Sequence, residues 1–262
     1  MSAEHAALTA LLLQLADDEL ILGHRNAEWT GLGPILEEDI AFSSMAQDEI
    51  GHAQVYYRLL ENSGEPPPDA LAFLRAADQF RNAQLVELPR TDYAFSLVRH
   101  VLYDLAEQVR LEALVHSSYQ PLVVVAGKLR HEERYHALHG RTWLKQLALA
   151  NDDSHDRVQQ ALDRLFPYAL SLFEPGPRED WLLAHQIQPA EMELQQAWFD
   201  LLQPLLHEVN LHVPLEAAGH GWRVTAGIDP HYGGRYGHHT PHLAALLADM
   251  QLVYRADPGA AW

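Results

Sequence analysis

Four long stretches of this sequence repeat apolar residues at the spacing of an α-helix, and they fall into two pairs. The first pair covers residues 5–25 and about 34–60, where Pro34 suits the first helical position. The second pair covers about 92–116 and 120–149. Short turns join the helices within each pair, whereas a long segment joins the two pairs. This order predicts an all-α, ferritin-like four-helix bundle with a long crossover between helices 2 and 3.

The remaining segments are expected to add helices and one structured loop to this bundle. Residues 66–89 have a weak helical pattern, which indicates a connection with one short helix. A fifth helix is expected at 153–172 and a last helix near 241–256. Residues 219–242 are rich in Gly and His and therefore predict a loop.

Length and composition fit one large domain with a sizeable core. The chain has 262 residues, of which 48% are hydrophobic. We interpret residues 1–262 as a single domain, with the bundle core at about 5–149 and the C-terminal helices and loop at about 150–262. The absence of cysteine excludes disulfides, thiolate metal sites and cysteine nucleophiles.

The charge balance excludes two classes of partner. With 36 acidic residues against 18 Lys and Arg, the formal net charge of −18 repels phosphate backbones and anionic lipid surfaces. The N-terminus has no basic region of the kind found in signal peptides, and no run approaches the roughly 20 apolar residues of a membrane span. We therefore expect a cytoplasmic protein that binds neither nucleic acid nor a membrane.

Two of the predicted helices carry the same polar motif on an otherwise apolar stripe. The segments "AQDEIGHAQV" and "HEERYHALH" both contain Glu-x-x-His, as Glu49 with His52 and as Glu133 with His136. Residues three apart on a helix lie on the same face, so each pair can converge on one point. Such pairs on two helices of a bundle supply half of a carboxylate-bridged di-iron site.

The other two helices of the bundle each place one acid on an apolar stripe. On the first helix, Glu19 shares its stripe with three leucines. On the third helix, Asp104 is the acid of the stripe that runs from Leu97 to Leu111. The other acids considered lie outside these stripes: Asp17 and Asp18 on the first helix, and Glu107 and Glu112 on the third.

These positions together predict a dinuclear metal site. Two metal ions a few Å apart need carboxylates to bridge and neutralise them, and each takes one neutral imidazole. No basic residue lies on the four stripes, so buried carboxylates there would lack compensation without a metal. Iron is the expected metal, and manganese suits the same oxygen and nitrogen donors. The predicted ligands are Glu19, Glu49, His52, Asp104, Glu133 and His136.

Other signals are weaker and favour structural roles. His100, one turn before Asp104, is either a hydrogen-bond partner of this acid or, as we favour, a core histidine. The spacing of the histidines in the Gly-rich loop fits no standard ligand set, which favours hydrogen bonding within the loop. The chain lacks the glycine motifs of nucleotide-binding folds and the G-x-S-x-G motif of serine hydrolases.

Longer runs of the sequence resemble one protein family. The runs "DELILGHRNAEWTG", "LEEDIAFSSMAQDEIGHAQ", "QFRNAQLVELPRTDYAFSLVRH", "EERYHALHGRTWL" and "HTPHLAALLADMQLVYRADPGAAW" are similar to the C subunits (PaaC) of the multicomponent ring-1,2-phenylacetyl-CoA epoxidase. The resemblance covers almost the whole chain. It implies a ferritin-like fold and pairing with a related catalytic A subunit. It further implies a reductase that supplies electrons, so that O2 can epoxidise the aromatic ring of the CoA thioester.

The resemblance also bears on the metal ligands. In this family, catalysis is expected in the A subunit, whereas the C subunit often has degraded ligands. Here the A-subunit pattern maps onto Glu19 before Trp29, Glu49 with His52, Asp104 before Tyr119, and Glu133 with His136, without the loss of a ligand position.

The resemblance predicts a C subunit that positions its A subunit, within a homodimer or hetero-oligomer, and that holds its own dinuclear iron. Two alternatives stay open. One is a purely structural subunit with a vestigial metal site, and the other is a stand-alone ferritin-like iron oxidase or storage protein. The sequence assigns no catalytic residue and leaves open whether the chain catalyses a reaction by itself.

Overall fold

The computed structural model of the protein describes residues 2–260. By its internal contacts the chain divides into two compact units. Unit 1 comprises the residues up to Pro89, the short segment Gly176–Arg178 and the residues from Gly233 onward. Unit 2 comprises Arg90–Pro175 and Glu179–Tyr232. The organisation as a single domain stays a prediction.

The secondary structure is almost entirely helical, which confirms the predicted all-α, ferritin-like fold class. The first helices are α1 (Ala3–Ala27), α2 (Leu36–Asn62), α3 (Pro68–Phe73), α4 (Gln84–Glu87), α5 (Tyr93–Leu114) and α6 (Gln120–Ala150). They are followed by α7 (Asp152–Ala169), α8 (Glu179–Ala184), α9 (Glu191–Glu208), α10 (Pro241–Met250) and α11 (Leu252–Ala256). Short 3-10 turns lie at Ala77–Gln79, Leu170–Phe173 and Gly234–Tyr236. A two-stranded antiparallel hairpin consists of β1 (Leu215–Ala218) and β2 (Gly221–Val224).

In unit 1, α1 and α2 pack along each other as an antiparallel pair. The Tyr57 hydroxyl donates to Asp17, while Gly23 near the end of α1 lies against Ala46 of α2. Ser2 caps α1, because its hydroxyl accepts from the backbone N–H of His5 at 3.1 Å. These contacts fix the position of α1 along α2, and with it the relative positions of the polar residues on the two helices.

The start of α2 differs from the expectation for Pro34. The helix begins at Leu36, two residues later, with Ile35 in an extended conformation before it. The Asp39 carboxylate accepts from the backbone N–H of Gly31 at 2.7 Å and closes the preceding turn.

The connection after α2 contains more structure than one short helix. It forms α3, a 3-10 turn and α4, since buried apolar residues such as Leu71, Phe80 and Leu85 hold it against the rest of unit 1. The expected last helix is likewise divided, because α10 ends before Gln251 and α11 starts after it. The Gln251 side chain donates to the backbone carbonyl of Arg75 at 3.0 Å.

In unit 2, α5 packs along α6 as a second antiparallel pair, and α7 packs against both helices. Helix α9 lies against α5, where the Trp198 indole donates to the Leu102 carbonyl at 3.1 Å. A buried, two-fold ion pair joins the same helices, with Arg110 Nη1 and Nη2 at 2.8 and 2.9 Å from the two oxygens of Glu191. Within residues 2–260, no helix is both long enough and apolar enough to cross a membrane.

Candidate metal centre

Unit 1 brings together three of the predicted ligands. Glu19 of α1 and both Glu49 and His52 of α2 are buried, and each offers a donor atom within 4.8 Å of the others. His52 Nδ1 lies 3.5 Å from Glu19 Oε2. We call these three residues the first half-site.

A glycine permits the close helix approach on which the first half-site depends. A Cβ atom on Gly23 would lie 3.0 Å from Glu49 Cβ and 3.1 Å from the Ala46 carbonyl oxygen. Real Cβ atoms rarely come so close to other atoms, so a larger residue at this position would press α1 away from α2.

The two acids next to Glu19 are also buried, which the sequence did not indicate. Asp17 accepts from Arg75 Nη1 at 2.9 Å and from the Tyr57 hydroxyl at 2.5 Å. Burial, reinforced by the Asp17 carboxylate, raises the pKa of Tyr57 well above 10. Asp18 pairs with Arg235 at 2.8 Å. Each of these two acids thus has a guanidinium partner, whose positive charge compensates the cost of burying the carboxylate.

Glu19 has no such compensation. Its two carboxylate oxygens are buried and accept no hydrogen bond from any residue in the described range 2–260. A buried carboxylate without a donor is costly, whereas a metal ion would stabilise its charge. The contrast with Asp17 and Asp18 therefore indicates that the first half-site fits a cation.

Unit 2 brings together the other three predicted ligands. Asp104 of α5 and both Glu133 and His136 of α6 are buried, with donor atoms within 4.8 Å of one another. His136 Nδ1 lies 3.2 Å from Glu133 Oε1. Gly140 of α6 permits close packing on α5 next to Asp104, because a Cβ there would lie 3.0 Å from Val101 Cγ2. We call Asp104, Glu133 and His136 the second half-site.

His100 contacts the second half-site directly. Its Nε2 lies 3.1 Å from Asp104 Oδ2, so its role is that of a partner of this acid rather than only a core histidine. Burial lowers the pKa of His100 well below 6.5, and the nearby His136 and His139 act in the same direction.

The donor set of each half-site fits iron or manganese. Each contains two carboxylates and one imidazole, the oxygen and nitrogen donors that such divalent ions accept. The competing acids of α5 do not belong to these groups. Glu112 is exposed and lies 3.6 Å from Arg130, while Glu107 is buried outside the second half-site. That all six residues form one dinuclear centre stays a prediction.

Residues of the Gly- and His-rich segment form hydrogen bonds and a ring contact. His239 Nδ1 lies 2.6 Å from the Glu87 carboxylate, and its Nε2 lies 3.1 Å from the Phe80 carbonyl oxygen. The backbone N–H of Thr240 donates to the other Glu87 oxygen at 2.7 Å. In unit 2, the His231 ring stacks on Tyr168. The hairpin strand β2 also lies inside the segment expected to be a loop.

The sequence of the whole chain matches a known family. Residues 1–262 match the family model described as "Phenylacetic acid catabolic protein". The chain belongs to this family. This member is 33% identical over 256 residues to the C subunit of the 1,2-phenylacetyl-CoA epoxidase of Escherichia coli (strain K12), a match that covers 97% of this chain and 99% of the relative. It is 25% identical over 207 residues to the A subunit of the same organism's enzyme, a match that covers 77% of this chain and 66% of the relative.

Proposed function

We propose that this family member acts as the C subunit of an aerobic ring-1,2-phenylacetyl-CoA epoxidase in phenylacetate degradation. The observation that carries the proposal is the 33% identity to the E. coli protein of that name, which extends over 97% of this chain and 99% of the relative. The weaker similarity to the A subunit of the E. coli enzyme fits a pair of related proteins. Its partners are then a reductase and a catalytic A subunit, in a cytoplasmic complex.

We further infer that the two half-sites together hold a dinuclear iron centre. The support comes from the donor chemistry, because six buried carboxylate and imidazole groups from four helices match what two such ions require. When bound, the iron pair would supply the redox chemistry that O2 activation needs.

The residues around the ligands have separate tasks in this proposal. His52 and His136 present Nδ1 toward the carboxylates of Glu19 and Glu133. The His100 ring, whose Nε2 lies 3.1 Å from Asp104 Oδ2, packs beside this carboxylate and restricts its orientation. Burial of all these groups excludes bulk water and strengthens their electrostatic interactions.

The iron content of the purified chain tests the metal proposal. After anaerobic loading with Fe(II) and desalting, we expect about two irons per chain, as a dinuclear site requires. The double variant Glu49→Ala/Glu133→Ala removes one carboxylate from each half-site and is expected to bind none. The matched control is Glu37→Ala/Glu132→Ala, which removes one exposed acid from each of the same helices and should retain the iron. Iron absent from the parent chain would contradict the proposal and favour a vestigial site.

Co-expression with an A subunit tests the role in the complex. We expect a stable hetero-complex that epoxidises phenylacetyl-CoA when a reductase is present. If Glu49→Ala/Glu133→Ala leaves this activity unchanged, the chain acts as a structural partner. A large homo-oligomeric cage that does not bind the A subunit would instead indicate iron storage and refute the proposal.

A further inference from the structure

A cationic cavity in unit 2 lies outside the metal centre. Its volume is about 600 Å3, and it opens between α5 and α6. We call it the arginine cavity and define it by the residues Gln108, His131, Arg134, Tyr135, Leu138 and Arg141. No acidic residue is among those that line it.

Local charge distinguishes this region from the rest of the chain. Helix α6 carries five Lys and Arg residues but only two Glu, whereas the whole chain has twice as many acids as bases. A concentration of positive charge on one helix of an acidic protein produces a local potential that attracts anions.

Within the described residues, the two arginines of the cavity have no acidic partner. Other bases of α6 do have one, since Arg130 lies 3.6 Å from Glu112 and Lys145 lies 2.7 Å from Glu208. Arg134 and Arg141, in contrast, form no ion pair with any carboxylate among residues 2–260. Two guanidinium groups that share a cavity repel each other, and an anion between them would relieve this repulsion.

The hydrogen-bond donors of the cavity are also incompletely used. Arg141 Nη2 donates to Gln108 Oε1 at 3.1 Å, but the buried Arg141 Nε has no acceptor within the described part of the chain. A guanidinium group offers several N–H donors in a planar fork that matches the oxygens of a phosphate. His131, on the same helix, adds a ring nitrogen that can donate.

Two large side chains of the cavity lining are exposed. Tyr135 and Leu138 are 74% and 62% exposed. An exposed tyrosine ring provides a face on which a flat aromatic group can stack. The cavity therefore combines an anion-binding end with an aromatic surface.

We propose that the arginine cavity binds a nucleotide-type phosphate ester, with the phosphate between Arg134 and Arg141 and the base against Tyr135. The 3′-phosphoadenosine part of coenzyme A has this chemistry. This site lies on the outer side of the helix whose inner face carries Glu133 and His136, and it does not depend on the presence of a metal.

Isothermal titration calorimetry of the full chain with adenosine 3′,5′-bisphosphate tests the proposal. We expect saturable binding with a Kd of about 1 mM or lower, and at least a roughly tenfold weaker Kd for Arg134→Gln/Arg141→Gln. The control Arg157→Gln/Arg223→Gln removes two exposed arginines that pair with Asp153 and Glu216, so it makes the same change in net charge. Its Kd should stay within about twofold of the parent value.

Further ligands and one variant separate the two ends of the cavity. Adenosine, which lacks phosphate, should not bind, and inorganic phosphate should bind more weakly than the nucleotide. Tyr135→Ala should weaken the nucleotide but leave inorganic phosphate unchanged. If inorganic phosphate binds as tightly as the nucleotide, the aromatic part of the proposal is wrong.

Other results would overturn the proposal altogether. These are a parent chain that does not bind the bisphosphate, or an equal loss of affinity in both arginine variants. A third such result combines two observations: the parent chain binds no nucleotide, and Arg134→Gln/Arg141→Gln no longer binds the A subunit. In that case the cavity would be a contact for an acidic protein surface. Unchanged circular dichroism and iron content of the variants would show that they fold normally.

Discussion

The contact between α1 and α2 at Gly23 predicts that the substitution Gly23→Ala destabilises the protein, although alanine is the better helix former. In an open helical position, replacing glycine by alanine stabilises a helix by about 1 kcal/mol. At Gly23, however, the new methyl group would lie 2.9 Å from Ile50 Cγ1, 3.0 Å from Glu49 Cβ and 3.1 Å from the Ala46 carbonyl oxygen. Two of these atoms belong to the backbone or to its first side-chain carbon and cannot rotate away.

The expected magnitude follows from these two opposing contributions. Overpacking by one methyl group typically costs about 1–3 kcal/mol. With the helix gain subtracted, the free energy of unfolding should fall by about 0–2 kcal/mol. Gly51→Ala on α2 is the matched control, because no atom lies within 4 Å of its added Cβ. This control should gain about 1 kcal/mol, so the two variants should differ by about 1–3 kcal/mol.

Thermal unfolding followed by far-ultraviolet circular dichroism measures this difference. For a chain of this length, 1 kcal/mol shifts Tm by about 2–4 °C, so Gly51→Ala should melt above the parent and Gly23→Ala at or below it. Because the methyl group also presses on Glu49, only Gly23→Ala should bind iron more weakly. Equal stabilisation by both substitutions would refute the reasoning, since it would mean that α1 and α2 are not in close contact at Gly23.

Three further predictions concern buried or partly buried polar groups. Arg110→Met should lower the free energy of unfolding by about 3–5 kcal/mol in denaturant titrations, because it leaves the Glu191 carboxylate buried without a guanidinium partner. The double variant Arg110→Met/Glu191→Leu should regain most of this stability. Tyr57→Phe should cost about 1–3 kcal/mol at pH 7 but make the protein less sensitive to alkali. The pKa of Tyr57 is raised above 10, so only the unfolded state of the parent releases this proton as the pH rises past 10. Burial, with Arg25 nearby, lowers the pKa of His24 below 6.5, so the parent should lose stability as the pH falls below 6.5, and His24→Gln should lose less in the same titration.

These predictions have clear contrary outcomes. A destabilisation by Arg110→Met below about 1 kcal/mol would mean that the ion pair with Glu191 is accessible to water. An alkaline unfolding profile that Tyr57→Phe leaves unchanged would show that this hydroxyl does not titrate differently in the folded state. If His24→Gln and the parent lose stability equally as the pH falls, the His24 imidazole does not titrate differently in the folded and unfolded states.

Helical periodicity was sufficient to predict the main helices and to select residues that the structure places close together, while their role as metal ligands stays a prediction. Glu49 with His52 and Glu133 with His136 were found because residues three apart on a helix share a face whatever the rest of the fold does. Glu19 was found because it is an acid on a stripe of leucines, and the structure places it beside His52. Such features depend on neighbours within one helix and are therefore readable from the sequence.

Features that depend on distant segments were not readable in this way. Asp17 and Asp18 were expected to lie off the apolar face, yet both are buried because α1 is covered on more than one side. The residues that compensate them, Arg75 and Arg235, come from the connection after α2 and from the C-terminal segment. No periodicity links such positions.

Asp18 and Arg235 are 217 residues apart in the sequence, so their ion pair forms only when nearly the whole chain has been synthesised. At a translation rate of about 5–20 residues per second, roughly 10–40 s pass between the synthesis of Asp18 and that of Arg235. All the residues of unit 2 emerge during that interval, whereas unit 1 still lacks its last segment. A released chain that is truncated shortly before Gly233 would therefore contain all of unit 2 but lack the segment that completes unit 1.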